Sequence, residues 1–256
     1  MEQLTFGACV KKGWISSWQA VTQMPWLFVG VWAVFACTSL LIGQRPSNAA
    51  GAVAPAALLG HALLSLGFFA LQMVVSSVLT IKVHRFVLLG EGANPLMPLN
   101  GKPLGRYLAV WLASMLIVLA AMGLTYTATR GFKLAGLVYL PVIAICLFVS
   151  FRLILLYPSI ALGGRLTLRA AWRDSRGHVW NMFGVGVIAC LPLIVVAVLV
   201  GIALGVSMPN DYSSKSLSVV EALLNVSLVV LVAASLSWLY RRYARELLAH
   251  VDTAPQ

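Results

Sequence analysis

The sequence predicts an all-α polytopic membrane protein: a six-transmembrane-helix bundle with amphipathic interfacial helices and both termini on the cytoplasmic side. Three observations carry this prediction. The 256-residue chain is 61% hydrophobic and 10% charged, whereas soluble domains average about 45–50% apolar and about 25% charged residues. The apolar residues fall in blocks of about 20, the length at which a helix spans the hydrocarbon core. The basic residues are divided unequally between alternate connections, which is the mark of a chain threaded repeatedly through a bilayer.

Residues 1–24 differ from the later blocks. On a helix, Phe6, Val10, Trp14, Trp18 and Val21 fall on one side, and Thr5, Lys12, Ser16 and Gln19 on the other. That amphipathic pattern predicts an interfacial segment with its Trp residues at headgroup level. Gly7 and Gly13 count against one unbroken helix. The segment has no short apolar core followed by a small-residue cleavage site, so no cleavable signal is expected.

Six spans follow, at about Pro25–Gly43, Ala56–Thr80, Tyr107–Tyr126, Leu134–Leu155, Phe183–Val206 and Val219–Tyr240. Pro25 suits the first turn of its helix, where an N–H has no partner to lose. Pro141 and Pro192 fall inside spans and predict kinks. Residues 241–256 read as a basic cytoplasmic tail. Each even-numbered span runs into a basic segment, a faint threefold pattern of hairpins that positive inner ends alone also explain.

Orientation follows from the charges. Lys11, Lys12, Lys82, Arg85, Lys102, Arg106, Arg152, Arg165, Arg169, Arg173, Arg176, Arg241, Arg242 and Arg245 fall at one set of helix ends. Arg45, Arg130, Lys133 and Lys215 fall at the other, a division of 14 to 4. The larger group marks the cytoplasm. A net charge of +11 therefore has its cause in inward-facing loops, and no nucleic-acid partner is expected.

The stretch Arg169-Ala-Ala-Trp-Arg-Asp-Ser-Arg-Gly-His-Val-Trp180 is the most charged run in the chain. On a helix starting near Thr167, Arg169, Arg173 and Arg176 form a stripe at i, i+4 and i+7, with Leu168, Ala171 and Trp172 on the adjoining face. Thr167 suits an N-cap and Gly177 a C-terminal stop. The pattern predicts a short interfacial helix whose arginines meet phosphates, each worth about 1 kcal/mol near an anionic surface. Asp174 pairing with one arginine would lower that sum. Lys82 and Arg85 extend the same basic face. Ser175-Arg-Gly-His178 invites a phosphatase reading, but that chemistry needs a second histidine and converging basic groups. His61 falls on the far side of the bilayer, and no histidine–aspartate pair supports His178. HExxH, GxSxG and P-loop motifs are also missing from the sequence, and its seven carboxylates are mostly outside the spans. Cys9, Cys37, Cys146 and Cys190 are scattered singly and read as buried hydrophobes. No metal or cofactor is expected. Within the spans, His61, Gln72 and Asn225 are the candidate intramembrane polar groups, for interhelical hydrogen bonds or a polar path. Ser76, Ser77 and Ser227 are the remaining polar side chains noted there.

His84-Arg-Phe-Val-Leu-Leu-Gly-Glu91, Phe151-Arg-Leu-Ile-Leu-Leu-Tyr-Pro158 and Ala170-Ala-Trp-Arg-Asp-Ser-Arg-Gly177 together resemble bacterial membrane proteins related to the membrane domain of glycerophosphoryl diester phosphodiesterase. The resemblance covers roughly residues 1–250. It implies a six-helix bundle in the bacterial cytoplasmic membrane and a link to lipid or envelope homeostasis. Some members carry a phosphodiesterase domain, which has no counterpart in this sequence, so its activity does not carry over. The expected function is a non-enzymatic integral membrane module that binds anionic lipid headgroups or a partner protein through a basic cytoplasmic face; a membrane protein partner or a homo-oligomer is the expected assembly. A small-molecule or lipid transporter and an intramembrane lipid-modifying enzyme are the alternatives.

Overall fold

The structure is a computed structural model that describes residues 5–43, 55–90, 101–130, 135–164, 167–207, 210–244 and 247. The expected tail therefore lies largely outside the described residues, as do Arg165, Arg245 and the loop tips at Arg45 and Met208. Among the described residues the chain forms nine helices: α1 (Phe6–Gln23), α2 (Pro25–Gly43), α3 (Pro55–Leu89), α4 (Gly101–Thr129), α5 (Ala135–Leu153), α6 (Leu156–Ala161), α7 (Leu168–Asp174), α8 (Val179–Ser207) and α9 (Asn210–Tyr243). Six of these, α2, α3, α4, α5, α8 and α9, contain segments long and apolar enough to cross a membrane. The protein is an all-α, multi-pass membrane protein, as its hydropathy predicts.

The helices outrun the predicted spans where charge interrupts the apolar run. The second span was expected to stop at Thr80, yet α3 continues nine residues further to Leu89. Lys82 and Arg85 sit on its half-buried side, while Ile81, Val83 and Val87 stay in the core. Gly90, at φ +66°, then ends the helix with its N–H on Phe86 O at 3.0 Å, a left-handed stop that glycine adopts without penalty. The fourth span was expected to run unbroken to Leu155. It instead ends at Leu153, turns, and restarts as α6, burying Leu155, Leu156, Ile160 and Ala161 completely. Pro141 and Pro192 lie inside uninterrupted helices.

α9 is the helix around which the others are arranged. It packs against α1, α2, α3, α6 and α8. α1 and α2 run antiparallel to it, so that Cys9 meets the end of α9 and Trp32 its early part. Cys9 lies near Arg242, Gly13 touches Ser235, Trp238 Nε1 donates to Ser16 Oγ at 3.0 Å, and Trp32 Nε1 donates to Val219 O at 3.3 Å. α3 runs parallel to α9, with His84 beside Ser237 and Arg241 Nη2 donating to Leu88 O at 2.8 Å.

The face of α1 that packs most closely is only partly the one its hydropathy suggests: Phe6, Val10 and Val21 pack against the core, half-buried. Cys9, Gly13, Ser16 and Ala20 are buried, and Trp18 is 72% exposed. Ser16, expected on the solvated side, is inside. Lipid tails are as apolar as leucine, so helix pairs in a membrane gain from close backbone approach, and small residues permit it. Gly13 therefore supports the helix it was expected to weaken.

Burial is concentrated at the end of the bundle that carries Lys82, Arg85, Arg152, Arg241 and Arg242, hereafter the basic end. Both core clusters draw on it: Ile81, Leu155, Ile160, Met182 and Tyr240 in one, Ala20, Leu79, Val83 and Ala234 in the other. In contrast, no side chain of residues 59–76, 108–124, 136–150 or 190–203 is buried. These far halves of α3, α4, α5 and α8 present Leu, Val and Ile to their surroundings, as a lipid solvent allows. α3 packs on α4, α4 on α5, α5 on α8, and both α3 and α8 on α9. The helices thus form a ring, and neither α4 nor α5 packs closely across it against α9.

The α1–α9 contact generates a stability prediction. A Cβ on Gly13 would lie 2.6 Å from Ser235 Oγ, whereas one on Gly30 would meet nothing within 4 Å. Gly13→Leu is expected to destabilise the detergent-solubilised protein by about 1–3 kcal/mol through overpacking. Gly30→Ala is expected to be neutral or slightly stabilising, since alanine is the better helix former. Thermal unfolding of both variants checks this; equal melting temperatures would refute the close contact.

Candidate functional site

The charged stretch folds as the short helix α7 followed by a turn into α8. Ala170, Ala171 and Ser175 are buried and hold it to the bundle. Arg169 and Arg173 are exposed on α7, and Arg176 is exposed in the turn beyond it. The helix ends at Asp174 rather than reaching Gly177, because Ser175–His178 forms a turn; Gly177, at φ +81°, sits inside that turn. Thr167 precedes α7, but its side chain makes no capping bond, and its Oγ1 is buried without a partner among the described residues. The helix is held instead by tertiary contacts.

One of these contacts comes from Arg152. Its guanidinium lies 4.8 Å from the Trp172 ring centre, and its Nη1 donates to Trp172 O at 3.0 Å. Phe148 meets the same ring edge-on at 6.5 Å. Arg152, expected to snorkel from the end of its span, thus ties α5 to α7. Asp174 Oδ2 accepts the Leu247 N–H at 3.1 Å, so it holds the chain beyond α9 as well as lying beside the arginines. The outer surface of this region combines Arg169, Arg173 and Arg176 with Leu168 (57% exposed), Trp172 (42%) and Trp180 (80%). Lys82 and Arg85 are half-buried and so less open than the arginines of the α7 region; like Arg173 and Asp174, they are engaged within the protein. His178 stacks on Tyr243 at 4.6 Å, a packing contact between the start of α8 and the end of α9.

The intramembrane candidates separate. Gln72 donates through Nε2 to Thr38 Oγ1 and so joins α3 to α2. Thr38 in turn donates to Val34 O or Phe35 O. Asn225 is exposed on α9 and, with Glu221, lines a recess of about 450 Å³ against α8. His61 is half-buried on the far half of α3. The recess at Asn225 includes neither Gln72 nor His61.

The residue that sequence reasoning missed is His84. It is fully buried, with Nδ1 2.8 Å from Ser237 Oγ. Ser237 commits its own hydrogen to Ala233 O at 2.9 Å. The hydroxyl can therefore only accept from the ring, which assigns the proton to Nδ1 from the hydrogen-bond network. Nε2 is left as a bare acceptor with no partner among the described residues. His84 borders a recess of about 330 Å³ between α3, α4 and α9. The signal was legible: Gln72, Ser76, Thr80 and His84 recur every four residues on α3, one face of a helix. It was lost because the predicted span stopped at Thr80. Among the described residues no three His, Cys, Asp or Glu side chains gather as a metal site. Comparison with protein-family models, curated proteins and solved structures found no match.

The His84–Ser237 pair makes a double-mutant prediction. Ser237→Ala leaves the buried Nδ1–H without its acceptor and is expected to cost about 1–3 kcal/mol. Adding His84→Leu removes the orphaned donor, so the double variant should be less destabilised than the sum of the two singles. Thermal unfolding of the full cycle measures the coupling; strict additivity would mean that the bond is not made.

Proposed function

We propose that this chain is a non-enzymatic module of the bacterial cytoplasmic membrane, with both termini inside, that binds anionic lipid headgroups through the α7 region at its basic end. The observation that carries the reading is the composition of one outer surface. Three exposed arginines share it with Leu168, Trp172 and Trp180, which are exposed as well. Cations beside apolar and aromatic side chains match the boundary between phosphates and acyl chains. The docking of α7 through Ala170, Ala171 and Arg152 supports a preformed contact surface, which lowers the ordering cost of binding. The stacking of His178 on Tyr243 favours a structural role for that histidine over a nucleophilic one.

Replacing Arg169, Arg173 and Arg176 together by Gln is expected to remove roughly 3 kcal/mol of attraction to an anionic surface. The ratio of anionic to zwitterionic lipid retained after mild solubilisation should fall in the triple variant, and in the parent protein it should fall with added salt. His178→Ala should leave that ratio unchanged. An unaltered ratio in the triple variant would refute the reading.

Topology is tested separately. A reporter fused after Gln256 should read as cytoplasmic, and one placed within residues 208–218 as external. A periplasmic C-terminus would reverse the assignment of the basic end.

A further inference from the structure

We infer that the recess between α3, α4 and α9 is a binding site for a neutral lipid whose polar end is a free hydroxyl, donated to His84 Nε2. This site is separate from the α7 surface and does not rest on it. The argument begins with where each hydroxyl hydrogen goes. Ser76 and Ser77 both donate to Met73 O, at 3.0 and 2.7 Å, and Thr80 donates to Ser76 O at 2.8 Å. The Tyr107 hydroxyl is turned toward Thr80, whose own hydrogen is already committed. His84 spends its one N–H on Ser237. The α3 residues that line the recess therefore carry acceptors: three hydroxyl oxygens and the buried, unpartnered imidazole nitrogen of His84. A buried acceptor without a donor is costly, so the missing partner is a hydrogen-bond donor.

Charge decides which donor. The lining holds no Asp or Glu, so an ammonium group would enter without a counter-ion, at a desolvation cost that neutral acceptors repay poorly. Phosphate or carboxylate anions would meet the lone pairs of the α3 wall and, beyond the neutral Trp111 and Tyr157 side chains, no cation. A hydroxyl satisfies Nε2 and carries no charge. The rest of the molecule has a place as well. A second recess of about 320 Å³, between α5, α8 and α9, shares Ile154, Val232 and Leu236 with the first. Its other lining residues are almost all apolar, including Phe151, Val187 and Leu191. It lies where α5 fails to close on α9. A hydrocarbon chain extends through it, past Val232, which is 40% exposed, into the surrounding bilayer.

Binding of radiolabelled hexadecanol, hexadecyl methyl ether and hexadecylamine to the purified full-length chain in detergent tests the inference. The alcohol is expected to bind roughly tenfold tighter than its ether, the difference made by one buried hydrogen bond. The amine is expected to bind no tighter than the alcohol. His84→Leu should bring alcohol and ether to similar affinities. Val232→Trp, on the rim and away from the His84–Ser237 pair, should block both and keeps the test open if His84→Leu does not fold. The triple arginine-to-Gln variant should retain the alcohol preference. Equal binding of alcohol and ether by the parent protein, a preference that survives His84→Leu, tighter binding of the amine, or undiminished binding to Val232→Trp would each overturn the inference.

Discussion

The packing of α9 against the α1–α2 arm is the constraint on which the rest of this bundle depends. In water a helix of such composition would be driven into place by its apolar surface. In lipid that drive is missing, and association rests on close approach and on hydrogen bonds that the solvent cannot supply. The arm meets both needs. Its small residues, Cys9, Gly13, Ser16 and Ala20, let the backbones approach, and Trp32 and Trp238 add hydrogen bonds across the contact. Once α9 is covered on that flank, α3 and α8 take two further flanks. α4 and α5 are then left to close a ring rather than to pack on the centre.

The same arrangement explains why polar groups near the basic end are specifically paired between helices. Arg241 reaches Leu88 O at the end of α3, where the helix leaves carbonyls without intrahelical donors. His84 and Ser237 pair where the two helices run side by side. Arg152 reaches a carbonyl of α7. Each contact joins two elements at a point where one has a group that the bilayer cannot satisfy. This makes the basic end a single packed body, while the far halves of four helices touch mainly their surroundings.

Much of the architecture was legible in hydropathy alone. The first span coincides with α2 from Pro25 to Gly43, because proline opens the apolar run and glycine closes it. The break between α5 and α6 was overlooked because Leu153–Leu156 is apolar on both sides of the turn, although Pro158, which has no N–H for Ile154 O and suits the first turn of a helix, marks it. The packed face of α1 was misjudged in part, because size counts there as well as polarity. Hydropathy ranks Trp18 above Gly13, but membrane packing rewards the smaller side chain. For the site, the arginine stripe was visible in sequence, and its anchoring by Arg152 was not, because those residues are 20 apart in the chain. His84 was overlooked because Lys82 and Arg85 flank it and read as a loop. In the structure they sit on the half-buried side of a helix whose opposite side is core.

The antiparallel register of the arm on α9 also has a consequence for biosynthesis. Ser16 and Trp238 are 222 residues apart, and Trp32 and Val219 are 187 apart. The arm leaves the ribosome well before the helix that covers its small-residue face. Until α9 is made, α2 must therefore wait in the membrane with that flank unclaimed, and the intervening spans insert before the pairing forms. Assembly of the bundle is thus a late, long-range event rather than a stepwise stacking of neighbours, which places this chain among topologies whose folding is slowed by loop closure.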